Sequence, residues 1–221
     1  MPSKISYSYV KPNRYYQATR DKMLKYIPED VKKTLEFGCG YGLFSKLLKD
    51  TFNAECWAVE INDKAAQIAS EKLDKVINSD AIESLEQLPE NHFDCVILND
   101  VLGCIADPFS LLKKIKKKLT ANAVIVASIP NVRYWRNLRA LVWRGEWDYR
   151  EFGILDTAHV RFYTYKSLVK MFGELGYEII TMEGINPTRN KKFRVVNLLL
   201  WNKLWDAKYS QFACVIKPVS K

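Results

Sequence analysis

Short apolar runs alternate along the chain with segments in which apolar residues recur every three or four positions. Five runs are almost continuously β-branched or apolar, which is typical of parallel strands covered on both faces. They lie at 33–38, 55–61, 75–80, 93–100 and 123–130. The segments between them predict helices at 41–51, 63–73 and 107–120. Repeated β-α-β units of this kind predict an α/β fold with a doubly wound, mostly parallel sheet.

The end of the chain predicts two more strands. A helix at 165–176, ended by Gly176, precedes runs at 177–185 and 211–218 that predict an antiparallel pair at the sheet edge. The sheet then has seven strands. Between these runs, residues 192–205 predict a strongly apolar helix. We expect it to pack on the sheet or against a second copy in a homodimer, with a membrane surface as the alternative.

Residues 131–164 interrupt the alternation. They contain many aromatic residues and arginines but show little periodicity. This predicts a lid inserted after the fifth strand, and the chain as a whole, 1–221, is predicted to be a single domain.

The charge balance favours an anionic partner. Lys and Arg number 34 against 25 Asp and Glu, a formal charge of +9. A nucleotide, a phosphorylated glycan, RNA or a membrane surface would all suit such a chain. The aromatic interleaving typical of RNA-recognition domains is absent, so a nucleic-acid substrate is disfavoured.

The remaining composition predicts a cytoplasmic location. No apolar run reaches the roughly 20 residues that span a bilayer, and residues 1–16 lack the apolar core of a signal peptide. The five cysteines are scattered without paired CxxC spacing, which predicts neither a metal site nor a disulfide framework.

A glycine-rich turn follows the first predicted strand. The stretch "LEFGCGYG" at 35–42 has GxGxG spacing, and Leu43 stands where a dinucleotide-binding loop would have its last glycine. Polar residues also end the next three runs, namely Glu60, the "SDA" of 79–81, and the pair Asn99 and Asp100. The carboxyl ends of parallel strands form the ligand crevice of open α/β sheets, so these groups predict one binding site.

The stretches "LEFGCGYGLFSKLL", "VEI", "NSDAIE" and "FDCVILNDVLGCIADP" resemble the class I S-adenosylmethionine-dependent methyltransferases. The resemblance covers residues 13–130, the implied cofactor-binding half, and the final strand pair within 165–221. It implies S-adenosylmethionine as cofactor, S-adenosylhomocysteine as product, and no metal. The implied cofactor contacts are Tyr16, Arg20, Glu36, Gly38, Gly40, Glu60, Ile61, Asp80, Ala81 and Asn99.

The resemblance also implies a role for each group. Glu36, the glycines and Asn99 would lie beside the methionine moiety, and Glu60 would hold the ribose. Ile61, Asp80 and Ala81 would surround the adenine. Tyr16 and Arg20, one turn apart in "YYQATR", would belong to an N-terminal helix that covers the cofactor.

The general base must come from an unusual place. Many relatives carry an acid and a histidine after the fourth strand, where this chain has Gly103 and Cys104. His159 is therefore the candidate base, with Asp156 or Asp100 orienting its ring and Arg161 placing the acceptor. The alternative is that His159 holds the lid by hydrogen bonds.

The "GILD-T-H-RF-T" pattern at 153–164 resembles a subgroup that modifies nucleotide sugars and surface glycans. This implies O-methylation of a sugar hydroxyl in a small anionic acceptor, with a phosphate-like oxygen as the alternative and a non-catalytic cofactor-binding module as a third. Arginines are expected to bind the phosphates and aromatic rings to stack on a base or sugar. They are Arg133, Arg136, Arg139, Arg144, Arg150 and Arg161, with Trp135, Trp143, Trp147 and Tyr149.

Overall fold

The computed structural model describes residues 11–219, in which seven strands form one sheet in the order β3-β2-β1-β4-β5-β7-β6. The first five strands are parallel, and β7 pairs antiparallel with both β5 and β6. The predicted fold class is confirmed. The strands are β1 Lys33–Phe37, β2 Glu55–Glu60, β3 Lys75–Asn78, β4 Phe93–Asn99, β5 Leu119–Pro130, β6 Tyr177–Pro187 and β7 Tyr209–Pro218.

Helices cover both faces of the sheet. Alternate residues of β4, such as Ile97 and Leu98, enter different core clusters, which explains why the central runs are apolar without interruption. Helices α2 and α3 pack on one face, and α4 and α6 pack on the other. The helices are α1 Asn13–Tyr16, α2 Leu43–Phe52, α3 Asp63–Ser70, α4 Pro108–Ile115, α5 Trp135–Arg144, α6 Tyr165–Glu174 and α7 Lys191–Leu199.

Residues 131–164, predicted to form a lid and showing little periodicity, include helix α5. Helix α5 places Trp135 and Leu138 on one face, where they pack against Phe193 of α7 and Ala207. Arginines alternate with exposed apolar residues such as Val142 and Trp143 over the rest of the helix surface. Trp135, Leu138 and Val142 recur at helical spacing, so this element could have been predicted from the sequence.

Two other helices are shorter than predicted. Asp107 caps α4 and Pro108 is its first residue, as expected, but the helix gives way to a 3-10 turn at Lys116–Lys118, and β5 begins at Leu119. Helix α7 ends at Leu199, and Trp201 and Asn202 follow with positive φ. Among residues 11–219 no helix has the length and apolar character needed to cross a membrane.

Candidate active site

The glycine turn is closed on one side by the N-terminal segment. Gly38, Gly40 and Gly42 all have positive φ, between 56° and 71°. A Cβ on Gly40 would lie 2.7 Å from the carbonyl oxygen of Tyr16, and the Tyr41 amide donates to that same oxygen at 3.0 Å. The turn therefore requires glycine both for its conformation and for this close approach.

Glu60 connects the end of β2 to the glycine turn. Its carboxylate accepts hydrogen bonds from the backbone amides of Gly40, at 2.8 Å, and Asn62, at 2.9 Å. Burial raises the pKa of Glu60, and these amides act in the opposite direction. A carboxylate has about four lone-pair sites, so Glu60 retains acceptors for ligand hydroxyls.

An apolar and a polar group adjoin Glu60 at the same sheet edge. Ile61 is 68% exposed although it directly follows a buried strand. Asp80 follows β3 and accepts a hydrogen bond from the Ile82 amide at 2.7 Å, while Ala81 packs on the core beneath it. A flat apolar ring with a polar edge could pack against Ile61 and form a hydrogen bond with Asp80.

Glu36 and Asn99 form a buried polar pair at the ends of β1 and β4. Glu36 accepts a hydrogen bond from the Ser45 hydroxyl at 2.6 Å. Burial raises the pKa of Glu36 to about 7, against the opposing effects of Ser45 and the nearby Asn99 amide. Neither polar atom of the Asn99 amide has a well-formed hydrogen bond within residues 11–219. Such an amide indicates a missing polar ligand, because leaving it unpaired is costly.

Asp100 joins the N-terminal segment to the sheet. It has φ of 59°, and its carboxylate pairs with Arg20 at 2.8 Å. The same carboxylate accepts hydrogen bonds from the side chains of Ser128, at 3.1 Å, and Gln211, at 2.7 Å. The contact with Gln211 could not be predicted from the sequence, because Gln211 lies on β7, far along the chain.

The prediction that one N-terminal helix carries both Tyr16 and Arg20 was wrong. Helix α1 ends at Tyr16, and Arg20 has φ of 53°, so Tyr16 and Arg20 are not one helical turn apart. Tyr16 stacks on Tyr41 with 5.7 Å between ring centroids. Tyr16 thus lies against the glycine turn, whereas Arg20 lies against Asp100.

A cavity of about 540 Å³ opens beside Asp100, between the N-terminal segment and residues 134–159. Six arginines and four acids line it. Asp100, Glu146 and Asp156 have cationic partners, namely Arg20, Arg144 and Lys11. In the described part of the chain the side chains of Arg136, Arg139 and Arg150 have no hydrogen bond or ion pair. The cavity therefore offers uncommitted guanidinium groups.

His159 forms part of the cavity wall and is almost fully buried. Its Nδ1 lies 2.9 Å from the carbonyl oxygen of Ile154. A carbonyl can only accept, so Nδ1 carries the proton and the neutral ring keeps a lone pair on Nε2. Nε2 has no partner within residues 11–219. The ring packs against Gly103, where a Cβ would lie 3.0 Å from its Cδ2.

The expected orientation of His159 by a carboxylate was wrong. Asp156 accepts from the Ala158 amide at 2.7 Å and forms a buried ion pair with Lys11. Lys11 also donates to the Glu151 carbonyl oxygen at 2.9 Å. Asp100 is bound elsewhere, so the Ile154 carbonyl orients the ring instead. Lys11 was missed because nothing in the sequence pairs it with a residue so distant.

Two of the six arginines expected to bind an acceptor have structural partners and lie outside the cavity wall. Arg161 donates through Nε and Nη2 to the Ala106 carbonyl oxygen, at 3.1 and 2.7 Å. Arg133 pairs with the buried Asp206 at 3.1 Å. Neither lines the cavity, so the expected acceptor roles of Arg133 and Arg161 do not fit the structure.

The expected stacking residues also lie elsewhere. Trp135 is buried against Phe193, and Trp147 packs edge-on against Phe162. Trp143 and Tyr149 are also absent from the cavity wall. The rings that line the cavity are Tyr15, Tyr134 and Phe152.

Sheet order and site together define a class I methyltransferase. The family model described as "Methyltransferase domain" matches residues 9–182, and the chain belongs to this family. It is an S-adenosylmethionine-dependent methyltransferase, which confirms the predicted enzyme class and cofactor. The glycine turn, the remaining acceptors of Glu60 and the unpaired Asn99 amide fit that cofactor. The individual contact residues stay predictions.

Solved structures share the fold across nearly the whole chain. An S-adenosylmethionine-dependent methyltransferase from Archaeoglobus fulgidus is 21% identical with a TM-score of 0.69, covering 92% of this chain and 96% of that one. One from Thermotoga maritima is 15% identical with a TM-score of 0.63, covering 93% and 90%. An uncharacterized protein of Haemophilus influenzae is 29% identical over 115 residues, and this match spans 48% of this chain and 45% of that protein.

Proposed function

We propose that this methyltransferase transfers a methyl group to a sugar hydroxyl of a small anionic acceptor, a nucleotide-linked sugar or a surface-glycan precursor. One observation carries the proposal. The cavity beside Asp100 is lined by arginines without partners and by a histidine with a free ring nitrogen. The free thiols of all five cysteines suit the cytoplasm, which we propose as the location.

The arginines favour an acceptor that carries phosphate. Guanidinium groups bind phosphate oxygens in pairs with fixed geometry, which both holds and orients the ligand. Arg136 and Arg139 lie on α5, and Arg150 lies on the segment that follows. A diphosphate bound among them would place its sugar within the same cavity. Tyr15, Tyr134 and Phe152 offer apolar surfaces for the sugar or base.

His159 supplies the base that a hydroxyl acceptor needs. When bound, S-adenosylmethionine provides an electrophilic methyl group. A sugar hydroxyl is a weak nucleophile until its proton is removed. We infer that Nε2 of His159 would accept this proton as the hydroxyl oxygen takes the methyl group, whose bond to the sulfonium sulfur breaks so that S-adenosylhomocysteine leaves. The hydrogen bond from Nδ1 to Ile154 stabilises the imidazolium that results.

A phosphate-like oxygen is the second candidate acceptor, and the same arginines favour it. Such an oxygen is already ionised and requires only positioning. His159 would then hold the lid rather than accept a proton. The two candidates therefore differ in how much activity depends on His159.

The acceptor class is tested with purified enzyme and three acceptor types, a nucleotide diphosphate sugar, a sugar phosphate and a neutral sugar. Arg136→Gln and Arg139→Gln should each raise the acceptor KM about tenfold or more, since each removes a hydrogen bond to a charged group. Cofactor affinity should not change. Lys170→Gln, on the exposed surface of α6, is the control.

The salt dependence of the acceptor KM gives a second measurement, because screening weakens exposed charge interactions. We expect KM for the charged acceptors to rise with salt, and to rise less in the arginine variants. A neutral sugar that is the best acceptor, with a KM insensitive to salt, would refute the proposal.

A further inference from the structure

We propose that the outer face of α7 and the turn after it bind the surface of an anionic lipid membrane. We call this face, Val195, Leu198, Leu199, Leu200 and Trp201, the α7 patch. Trp201 is 83% exposed and Leu199 71%, and the other three are also exposed. The inference is independent of the acceptor and adds a second binding surface to the enzyme.

Helix α7 is apolar on two faces. Phe193 and Val196 point inward and pack with Trp135 and Ala207. Val195, Leu198 and Leu199 have the spacing that places them together on another face, which the described residues leave open. The inner face of α7 therefore packs in the core, and the α7 patch takes no part in this packing.

The turn after α7 holds Trp201 in its exposed position. Asn197 bonds to both sides of the turn, since its carbonyl oxygen accepts from the Asn202 amide at 2.8 Å and its Oδ1 accepts from the Leu204 amide at 2.9 Å. Trp201 and Asn202 both have positive φ. The exposed indole of Trp201 therefore lies in a turn whose backbone is fixed by hydrogen bonds.

The rim of the α7 patch is basic. Residues 188–208 contain one acid, Asp206, which is buried and paired with Arg133. Six exposed cations lie in the same segment, namely Arg189, Lys191, Lys192, Arg194, Lys203 and Lys208. A short apolar face with an indole and a basic rim is the composition of interfacial segments that lie on anionic bilayers.

The charge distinguishes a membrane from a second copy of the chain. A two-fold dimer through the α7 patch would bring the six cations of one copy close to those of the other, with no surface acid in 188–208 to offset them. The expected core packing holds for the inner face of α7, whereas these charges disfavour a dimer through its outer face. Anionic lipid headgroups complement both the charge and the leucines.

Helix α5 extends the apolar surface toward the acceptor cavity. Val142 and Trp143 are exposed, and the Trp143 ring lies 6.0 Å from that of Trp135, which lies 5.5 Å from Phe193 of α7. The same helix carries Arg136 and Arg139 into the cavity wall. A membrane bound at the α7 patch would thus lie near the helix that contacts the acceptor.

The test is co-sedimentation of the full chain with vesicles of phosphatidylcholine, with and without phosphatidylglycerol. We expect binding only when phosphatidylglycerol is present, and weaker binding at high salt. Leu198→Ser with Leu199→Ser should reduce binding at least tenfold. Lys192→Gln with Arg194→Gln should weaken it as well. The matched control is Val169→Ser with Ile180→Ser, two exposed apolar residues on α6 and β6.

Binding of S-adenosylhomocysteine, measured by calorimetry, verifies that each variant is folded. Three results would contradict the proposal. A stable dimer in light scattering that Leu198→Ser with Leu199→Ser dissociates would assign the α7 patch to self-association. Equal binding to neutral vesicles or no binding to anionic vesicles would also overturn it.

Discussion

Two regions meet at Asp100 but are built in different ways. One is the cofactor edge, formed by the ends of β1, β2 and β4, and the other is the arginine-lined cavity, where we propose that the acceptor binds. At the cofactor edge each polar group ends its own strand, and near neighbours hold it, as the Gly40 and Asn62 amides hold Glu60. The cavity is assembled from distant segments by ion pairs such as Lys11 with Asp156. The first region follows from the sheet itself, whereas the second depends on contacts between the two ends of the chain and its middle.

This difference predicts separable effects. Substitutions at the cofactor edge should change cofactor affinity, because those groups face the crevice at the strand ends. Substitutions in the cavity should change turnover, acceptor affinity or the order of residues 150–160, with cofactor affinity preserved. A cavity variant that changes cofactor affinity, or a cofactor-edge variant that changes acceptor affinity, would show that the two regions are coupled.

The largest effect is expected at His159. His159→Asn keeps a donor for the Ile154 carbonyl but removes the basic nitrogen. We expect kcat to fall roughly 10²–10⁴-fold, the usual loss for a general base. Steady-state kinetics with saturating cofactor measure this.

The controls for His159→Asn are the cofactor Kd and the melting temperature, which should both stay close to the parent values. Near-parental kcat in a folded variant would contradict the base assignment. It would favour an acceptor whose oxygen is already ionised.

The next largest effect is expected from the buried ion pair. Asp156→Asn leaves the Lys11 ammonium buried without a counter-charge, and removing one partner of such a pair costs about 3–5 kcal/mol. Arg14→Gln breaks an exposed pair with Glu151 between the same two segments and should cost about 0–1 kcal/mol. Denaturant unfolding and proteolysis of residues 150–160 measure both. Equal losses in the free energy of unfolding would mean that the contribution of these ion pairs does not depend on their burial.

The same division explains what the sequence could predict. The positions of the strands, the glycine turn and Glu60 follow from periodicity and from the rule that ligands bind at strand ends, so they need only local information. The partners of His159, Arg133 and Arg161 do not follow from it. Residue types indicated a polar cavity, but an arginine can equally bind a ligand or a nearby carbonyl, and only the folded chain decides.

The apolar segment after residue 190 shows a further limit. Its composition predicts burial, and the inner face with Phe193 is buried as expected. Helix α7 nevertheless ends at Leu199, because Asn197 caps the turn and the chain must reverse into β7. Apolar content alone does not distinguish a buried face from an exposed binding face.

A moderate effect on cofactor binding is expected at Glu60. Glu60→Ala removes the acceptor for ligand hydroxyls and frees the Gly40 amide, so affinity for S-adenosylmethionine should fall by about 1–3 kcal/mol. Glu55→Ala, at the opposite end of the same strand, is the matched control. Calorimetry measures both, and unchanged affinity in folded Glu60→Ala would remove Glu60 from the site.

The smallest effect is a pH dependence of cofactor affinity that originates at Glu36. Its pKa of about 7 means that the buried carboxyl is largely neutral below pH 7 and ionised above it. The cofactor carries positive charge, so it should bind more tightly as pH rises through 7, by less than about tenfold, or roughly 1.4 kcal/mol. The glutamine side chain in the Glu36→Gln variant cannot ionise. All other titrating groups, in the protein and in the cofactor, are the same as in the parent complex, so their effects cancel in a comparison of the two. The ratio of parent to Glu36→Gln affinity, measured by calorimetry between pH 6 and pH 8, should therefore increase with pH. A constant ratio would show that Glu36 does not sense the cofactor charge.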